Sequence, residues 1–502
     1  MKTKNILFMT DSYKVSHAPQ YLPNTTSIHG YLESRYGAEI NETVFVGLQY
    51  IVKEYLEGQV ITREKIDEAE FLYGIHFGTD IFNKEGFEYI LNNHGGVLPI
   101  RIKAVPEGTP VTVSNILMSV EVLDDQCNWV MGWLSNFLET ILTHVWYPST
   151  VATRSREIKK VIYANLVKSC DTPDLALPFC LHDFGCRGVS SMESAGIGGL
   201  GHLVNFCGTD TVQAMVFARD YYYADLKTLA FSVPASEHSV ATSAGPEGEY
   251  DYLLRMIRKY PNGIVSIVAD SYNITRFIKE YMRDAKDEII ERWKNGTSPL
   301  NRVVVRPDSP RWEGDTPHAQ VAWILETLWD IFGGTINSKG YRVLHPAVGV
   351  IYGDGLSKNE ICGIYNYVTN HNNFGNTKYA YLGNHVDNTD QGERAKGFDC
   401  SSIVVGQGGG LLQKVNRDTQ RFAFKCSAQK RDGIWYDVSK NPLDKTKASK
   451  AGRLALIKED GQYQTVRIEE LNGRKDLLET VFENGKLVKE YTFEQVRENA
   501  KL

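Results

Sequence analysis

IVSIVADS (264–271), VVVRPDS (303–309), VGVIYGDG (348–355) and SIVVGQGGG (402–410) are four apolar, β-branched runs that end abruptly in acidic or glycine-rich turn residues. A near-continuous Val/Ile run is the pattern of a strand buried on both faces, as in parallel sheets. Helical patterns follow the first three: NITRFIKEYMRDAKDEIIERW (273–293), HAQVAWILETLWDIF (318–332) and SKNEICGIYNYV (357–368). Strands alternating with helices imply right-handed parallel crossovers. The strand-end residues Asp270, Asp308, Asp354 and Gly406 lie about 40 to 50 residues apart, within reach of βα units with modest loop insertions. The spacing favours an α/β, barrel-like domain, an incomplete β/α barrel, over an open doubly wound sheet. In either fold ligands bind beyond the carboxyl ends of the strands, where this chain gathers Asp270, Arg306, Asp308, Asp354 and a run of glycines. Carboxylates, a guanidinium and open backbone amides suit a substrate that is both polyhydroxylated and phosphorylated.

The rest of the chain reads differently. Its 502 residues exceed one ordinary domain. Residues 1–145 mix short strands and helices: TVFVGLQYIVKEYLEG (43–58) has helical spacing up to a glycine cap at Gly58, and LPIRIKAVPEGTPVTVSN (98–115) reads as antiparallel strands about a turn. The stretch 128–147 is aromatic and apolar with helical spacing. From 428 to 502 hairpin chemistry returns, with Asp-Gly in EDGQY (459–463) and Asn-Gly in ENGKL (483–487). The expected organisation is an α+β domain built from 1–145 and the tail 428–502, beside a barrel-like domain over 146–427. The Asn- and Gly-rich stretch 369–398 reads as a long irregular loop.

Hydrophobic content of 42% and charged content of 23% are those of a globular protein, and a net charge of −6 argues against a nucleic-acid binder. Affinity for phosphate must then come from local Lys, Arg and backbone N–H groups. The eight cysteines form no CxxC pair and have no metal-ligand spacing, the usage of reduced thiols. The apolar run 6–9 is too short for a secretory signal, and no run approaches a membrane span, so a cytoplasmic location without membrane attachment is expected.

Four local clusters can carry chemistry. GQGGGLLQK (406–414) follows a strand and opens toward a helix, where glycine amides cradle phosphate, and Lys414, Arg417 and Lys425 follow it. It lacks the GK[ST] of a Walker loop. In VVRPDS, Arg306 can bind phosphate in bidentate fashion, and Asp308 can accept from ribose hydroxyls or meet Mg²⁺; an internal ion pair is the alternative. LHDFGCRGVSS (181–191) offers Phe184 and Arg187 to a flat ring, or a core ring and a surface cation. FSVPASEHSV (231–240) offers Glu237 and His238, an acid/base or nucleophilic imidazole or a plain surface histidine.

Taken in order, TDSYKVSH (10–17), ETVFVGLQY (42–50), IKAVPEG (102–108), WYPSTVATRSRE (146–157), HDFGCRGVSS (182–191), FCGTDTV (206–212), SVPASEHS (232–239), ADSYN (269–273), RPDS (306–309), GDG (353–355) and GGGLLQK (408–414) closely resemble the nicotinamide phosphoribosyltransferases, type II phosphoribosyltransferases, nearly end to end. The resemblance implies transfer of phosphoribosyl from phosphoribosyl pyrophosphate to nicotinamide, giving nicotinamide mononucleotide and pyrophosphate in NAD salvage. It implies Mg²⁺, ATP as a coupling substrate acting through a phosphohistidine at His238, and a homodimer with shared active sites. Phe184 and the partner subunit's Tyr13 would stack the pyridine, with Arg187 beside it and Asp210 accepting from the carboxamide. Ser232 and Ala235 fall among the implied substrate-binding residues. Asp308 would hold the ribose hydroxyls, Gly353, Asp354, Gly408 and Gly409 the ribose and 5′-phosphate, and Arg306 the region between. Asp270 would support the Mg²⁺ and pyrophosphate side and, with Glu237, orient His238. The partner subunit's Arg35, Arg417, Lys425 and Lys440 would neutralise phosphate. Two departures from the family's pattern are Pro310, in RPDSP, and Gly349 at a position basic in relatives. Rival readings are a nicotinate-preferring enzyme, disfavoured by Asp210, and a non-catalytic sensor, disfavoured by the set His238, Asp270, Arg306 and Asp308.

Overall fold

Six parallel strands lie side by side in the order Gly208–Thr209, Leu181–Asp183, Ile403–Gln407, Val348–Tyr352, Arg302–Arg306 and Ile264–Val268. The computed structural model describes residues 4–127, 138–353, 355–370, 396–440, 443 and 448–502. The four apolar runs are thus consecutive neighbours. Each strand except Gly208–Thr209 pairs with the next in sequence, and the last pairs with the first, the circular order of a β/α barrel rather than the reversal of a doubly wound sheet.

The circle has one gap, between Gly208–Thr209 and Ile264–Val268, and a single extended segment spans it. Phe231 bridges in parallel to Gly208, and Ala235 bridges in parallel to Ser266. The Ser236 hydroxyl accepts from the Val268 N–H at 2.7 Å, which holds the segment to that edge. One bridge at each side is less than a full strand supplies, so the barrel is incomplete. The segment that closes it leads directly into Glu237 and His238.

Val265, Ile267, Val303, Val305, Val348, Val350, Ile403 and Val405 are buried with the surrounding helices in one apolar cluster. Those helices start where the sequence supplies caps. Thr316 caps Pro317–Phe332, and Ser357 with Glu360 forms a capping box on Lys358–Thr369. The helix expected over 273–293 is broken at Ala285 into shorter pieces and Lys286–Asn295.

The second layer is a seven-stranded antiparallel sheet ordered Ile434–Asp437, Phe422–Arg431, Thr25–Ser34, Ile116–Val122, Ile100–Ala104, Glu479–Glu483 and Lys486–Leu487. Three strands from the N-terminal region form its centre and two from the C-terminal part flank them on each side, so the two ends of the chain build one domain. Asp460-Gly461 and Asn484-Gly485 have left-handed φ at both positions, as type I′ hairpins need, and Asp432-Gly433 makes a further turn of this kind. One expectation fails. The strands around Pro106 do not pair with each other: Ile100–Ala104 pairs with Ile116–Val122, and Pro110–Thr112 pairs with Glu42–Val44. Of the helical stretch 128–147, residues 128–137 lie outside the described residues, as do 371–395 of the Asn-rich stretch.

The reason for that exchange of partners is Glu107. Its buried carboxylate accepts from the N–H of Gly47 at 2.8 Å and of Gln49 at 2.6 Å, and from the Tyr222 hydroxyl at 2.8 Å. Tyr222 ends a helix of the barrel domain, and Gln49 is hydrogen-bonded to the Tyr491 backbone in the tail. The turn is therefore a buried junction between the domains. Burial pushes the Glu107 carboxyl above the ordinary carboxylate range despite its donors. Glu107→Ala leaves these donors without an acceptor and is expected to lower unfolding stability by about 3 kcal/mol, measured by chemical denaturation; Glu107→Gln costs less.

Candidate active site

Asp270 follows the strand Ile264–Val268, with its side chain only 3% exposed. One carboxylate oxygen is 3.2 Å from Nε2 of His238; the other accepts from the N–H of Asp308 at 3.0 Å and of Ser309 at 2.6 Å. A single carboxylate thus joins the residue after the barrel-closing segment to the turn after the next strand. Asp308 lies across the imidazole, with Oδ2 3.8 Å from Nδ1 of His238 and 3.4 Å from Nη2 of Arg306. The two ring nitrogens thus face two different carboxylates, and the ring is partly open to solvent. Glu237 does not reach the imidazole: its carboxylate caps the short helix His238–Ala241, accepting from the Ser239 N–H at 3.0 Å. Pro310 directly follows the two amides that hold Asp270, so the turn supplies no third N–H at that residue.

A flat apolar platform adjoins this cluster. The ring of Phe184 lies against Gly406 and Gly353: a Cβ on Gly406 would fall 2.0 Å from it, and one on Gly353 2.7 Å. Both strand ends need glycine for that close approach. His182 packs on Phe184, ring centroids 5.0 Å apart, and its Nε2 is 3.1 Å from Asp210. The Ser232 hydroxyl donates to the same Asp210 oxygen. Burial raises the Asp210 carboxyl, but the His182 and Ser232 hydrogen bonds outweigh it and hold the group below its ordinary range, as the anion. Beneath, buried Asp183 accepts from the Gly185 N–H at 2.7 Å and the Thr209 hydroxyl at 3.1 Å, fixing the turn that presents Phe184. Arg187 is exposed on that turn, and Gly188 approaches the glycine run at Gly409, next to Gly408. Asp354 lies outside the described residues.

Of the other predicted cations, Arg35 and Lys425 belong to the antiparallel sheet or its edge. Arg35 follows the strand Thr25–Ser34, and Lys425 lies in the neighbouring strand Phe422–Arg431. Burial lowers the Lys425 pKa, and repulsion from Arg35, Lys440 and Arg417 adds to the fall against the attraction of Glu139. Lys414 is exposed, with its carbonyl taking a hydrogen bond from Arg154. Tyr13 is 60% exposed, its ring edge-on to His17. The room a side chain at Gly349 would need is taken by Arg302, whose Cδ lies 3.0 Å from where the Cβ would be.

The fold and this site are those of a phosphoribosyl-transferring enzyme. Residues 5–102 match the family model "Nicotinamide phosphoribosyltransferase, N-terminal domain", and 179–486 match the "Nicotinate phosphoribosyltransferase (NAPRTase) family". The chain is 42% identical over 506 residues to the nicotinamide phosphoribosyltransferase of Xanthomonas campestris, covering 99% of this chain and 98% of that protein. To the enzyme of that name from Acinetobacter baylyi it is 32% identical, covering 98% and 96%. Among solved structures, nicotinate-nucleotide pyrophosphorylase from Pyrococcus furiosus shares the fold with a TM-score of 0.57 at 15% identity, covering 100% of this chain and 96% of the other. Human nicotinic acid phosphoribosyltransferase shares it with a TM-score of 0.50 at 12% identity, covering 98% and 92%. The chain belongs to the nicotinamide phosphoribosyltransferases, within the NAPRTase family. Among the described residues no helix is long and apolar enough to cross a membrane.

Sequence reading passed over His182 and Asp183, though both lie inside a quoted motif: a polar pair at a strand end beside a glycine turn was the available signal. It also missed Glu249, at the start of the helix Glu249–Lys259, 2% exposed, whose Oε1 has no hydrogen-bond partner among the described residues. Burial pushes its carboxyl up to about 7; Arg276 opposes the rise and the charge of Asp270 adds to it. A carboxyl with a raised folded pKa stabilises the fold below its unfolded value and loses that contribution as pH climbs through about 7. Glu249→Gln is therefore expected to flatten the fall in melting temperature from mildly acidic to mildly alkaline pH, and to melt above wild type at the alkaline end.

Proposed function

We propose that this chain transfers phosphoribosyl from phosphoribosyl pyrophosphate to the ring nitrogen of nicotinamide, releasing pyrophosphate and forming nicotinamide mononucleotide for NAD salvage. The observation that carries the choice of acceptor is the ionised Asp210 beside the Phe184 platform. Phe184 takes one face of the pyridine, Arg187 lies beside the ring, and Asp210 accepts from the carboxamide N–H. Nicotinate would put a second carboxylate against Asp210, at a cost on the order of a few kcal/mol where water is excluded.

Bond breaking at the ribose C1 passes through an oxocarbenium-like state, so positioning and charge neutralisation supply the rate. Asp308 accepts from ribose hydroxyls, Arg306 pairs with phosphate, and the glycines Gly353, Gly408 and Gly409 admit the 5′-phosphate close to the backbone. The carboxylate of Asp308, with Asp270 behind it, would hold a Mg²⁺, which would supply neutralisation of the pyrophosphate leaving group. Arg35 and Lys425 belong to the antiparallel sheet or its edge, and the proposed homodimer brings them, with Arg417, Lys440 and exposed Tyr13, to the partner's site.

ATP acts through His238. Nδ1 attacks the γ-phosphorus, the P–O bond to ADP breaks, and the charge formed on the imidazole is met by Asp270 at Nε2. Hydrolysis of the phosphohistidine couples ATP to an otherwise unfavourable transfer. The disposition of Asp270 and Asp308 on opposite nitrogens supports this reading.

Turnover of nicotinamide and nicotinate, with phosphoribosyl pyrophosphate and Mg²⁺, tests the reaction. Wild type is expected to prefer nicotinamide, and Asp210→Ser to lose about tenfold or more of that preference; preference for nicotinate in wild type would overturn the assignment. His238→Ala is expected to keep slow basal transfer and lose ATP stimulation, and retention of full stimulation would exclude the phosphohistidine.

A further inference from the structure

On the antiparallel domain, His94, Asp124 and Cys127 bring one imidazole nitrogen, one carboxylate oxygen and one sulfur within 4.8 Å of one another. Their separation along the chain hides this. His94 is the last residue of the helix Lys84–His94, Asp124 lies just after the strand Ile116–Val122, and Cys127 ends the following turn. Nε2 of His94 is 2.7 Å from Oδ2 of Asp124, and Sγ of Cys127 is 3.9 Å from the same oxygen. The Tyr89 hydroxyl donates to that oxygen too, at 3.0 Å, while Oδ1 accepts from the Gln126 N–H at 2.8 Å.

We propose that His94, Asp124 and Cys127 form a structural site for a thiophilic divalent cation of the Zn²⁺ class. Nitrogen, oxygen and sulfur donors sit roughly 3.3 to 3.7 Å apart around a tetrahedral zinc. The observed 2.7 and 3.9 Å lie on either side of that range, so shifts of less than about 1 Å open the imidazole–carboxylate pair and bring in the thiol. The donor set selects the metal: imidazole and thiolate favour Zn²⁺ or Co²⁺ and disfavour Mg²⁺. The site is therefore independent of the pyrophosphate chemistry above.

The surroundings are those of a structural site. Cys127 is fully buried, while the His94 and Asp124 side chains are 24% and 21% exposed, which gives the ion a way in and leaves the fourth position to water. The Tyr89 hydroxyl and the Gln126 amide act as the outer partners that orient the carboxylate. On binding, the Cys127 S–H releases its proton to solvent, and His94, carrying its N–H on Nδ1, offers the Nε2 lone pair. One thiolate and one carboxylate then balance the two positive charges. The consequence is mechanical: the ion ties the end of a surface helix to the turn that leaves the antiparallel sheet.

The test uses the full chain stripped with a chelator and titrated with Co²⁺. Wild type is expected to develop a thiolate-to-cobalt charge-transfer band with tetrahedral d–d bands at one equivalent, displaced by Zn²⁺, and Zn²⁺ is expected to raise the melting temperature. Cys127→Ser should abolish the charge-transfer band and the thermal shift; His94→Gln, which leaves the buried thiol in place, should weaken binding about tenfold or more. Nicotinamide turnover with Mg²⁺ should be unchanged in both variants. No stoichiometric band in wild type, or a band unaltered by either substitution, would overturn the proposal.

Discussion

Asp270 is the group on which the rest of the site depends. It follows one strand, and its carboxylate takes the amides of Asp308 and Ser309 from the turn after the next and faces the imidazole that follows the barrel-closing segment. Three segments remote in sequence are thereby held in one geometry by charge-assisted hydrogen bonds made almost out of reach of water. The incomplete barrel explains why such a clamp is needed. The closing segment has only one bridge to each edge, so its backbone alone would not hold His238 to the tolerance a reaction requires.

The proposed stacking of a flat ring depends on a different constraint, the absence of side chains. Phe184 can lie across the strand ends because Gly353 and Gly406 leave the space. Its position places the ring platform beside Asp210, whose negative charge is secured by His182 from a barrel strand and Ser232 from the barrel-closing segment. Apolar stacking and a fixed anion together define a ligand that is aromatic, planar and rich in donors. Arg35 and Lys425 lie apart from this platform, at the end of one strand of the antiparallel sheet and in its neighbour.

Much of this was legible in the sequence. Val/Ile runs ending in Asp270, Asp308 and Gly406 gave the parallel strands, and their even spacing favoured the circular order. Asp-Gly and Asn-Gly pairs located the hairpins, because left-handed backbone at two successive residues restricts the chemistry there. What stayed hidden was pairing across distance. LPIRIKAVPEGTPVTVSN has the alternation of a hairpin, yet Glu107 anchors its turn in a domain junction and sends the two strands to other partners. Likewise nothing in the spacing of His94 and Cys127 hints at their meeting, and Glu237, adjacent to His238, turns away to cap a helix. Local propensity reads locally. Buried charges find their partners in three dimensions.

The measurement that tests the account most directly is the chemical form of His238 in the presence of ATP. Protein incubated with γ-labelled ATP and Mg²⁺ is expected to carry an acid-labile label on His238, with phosphorus resonances of a phosphorylated imidazole nitrogen, and Asp270→Asn is expected to lose most of it. Absence of label in the wild type, or label of equal extent in Asp270→Asn, would contradict the central role given to the carboxylate.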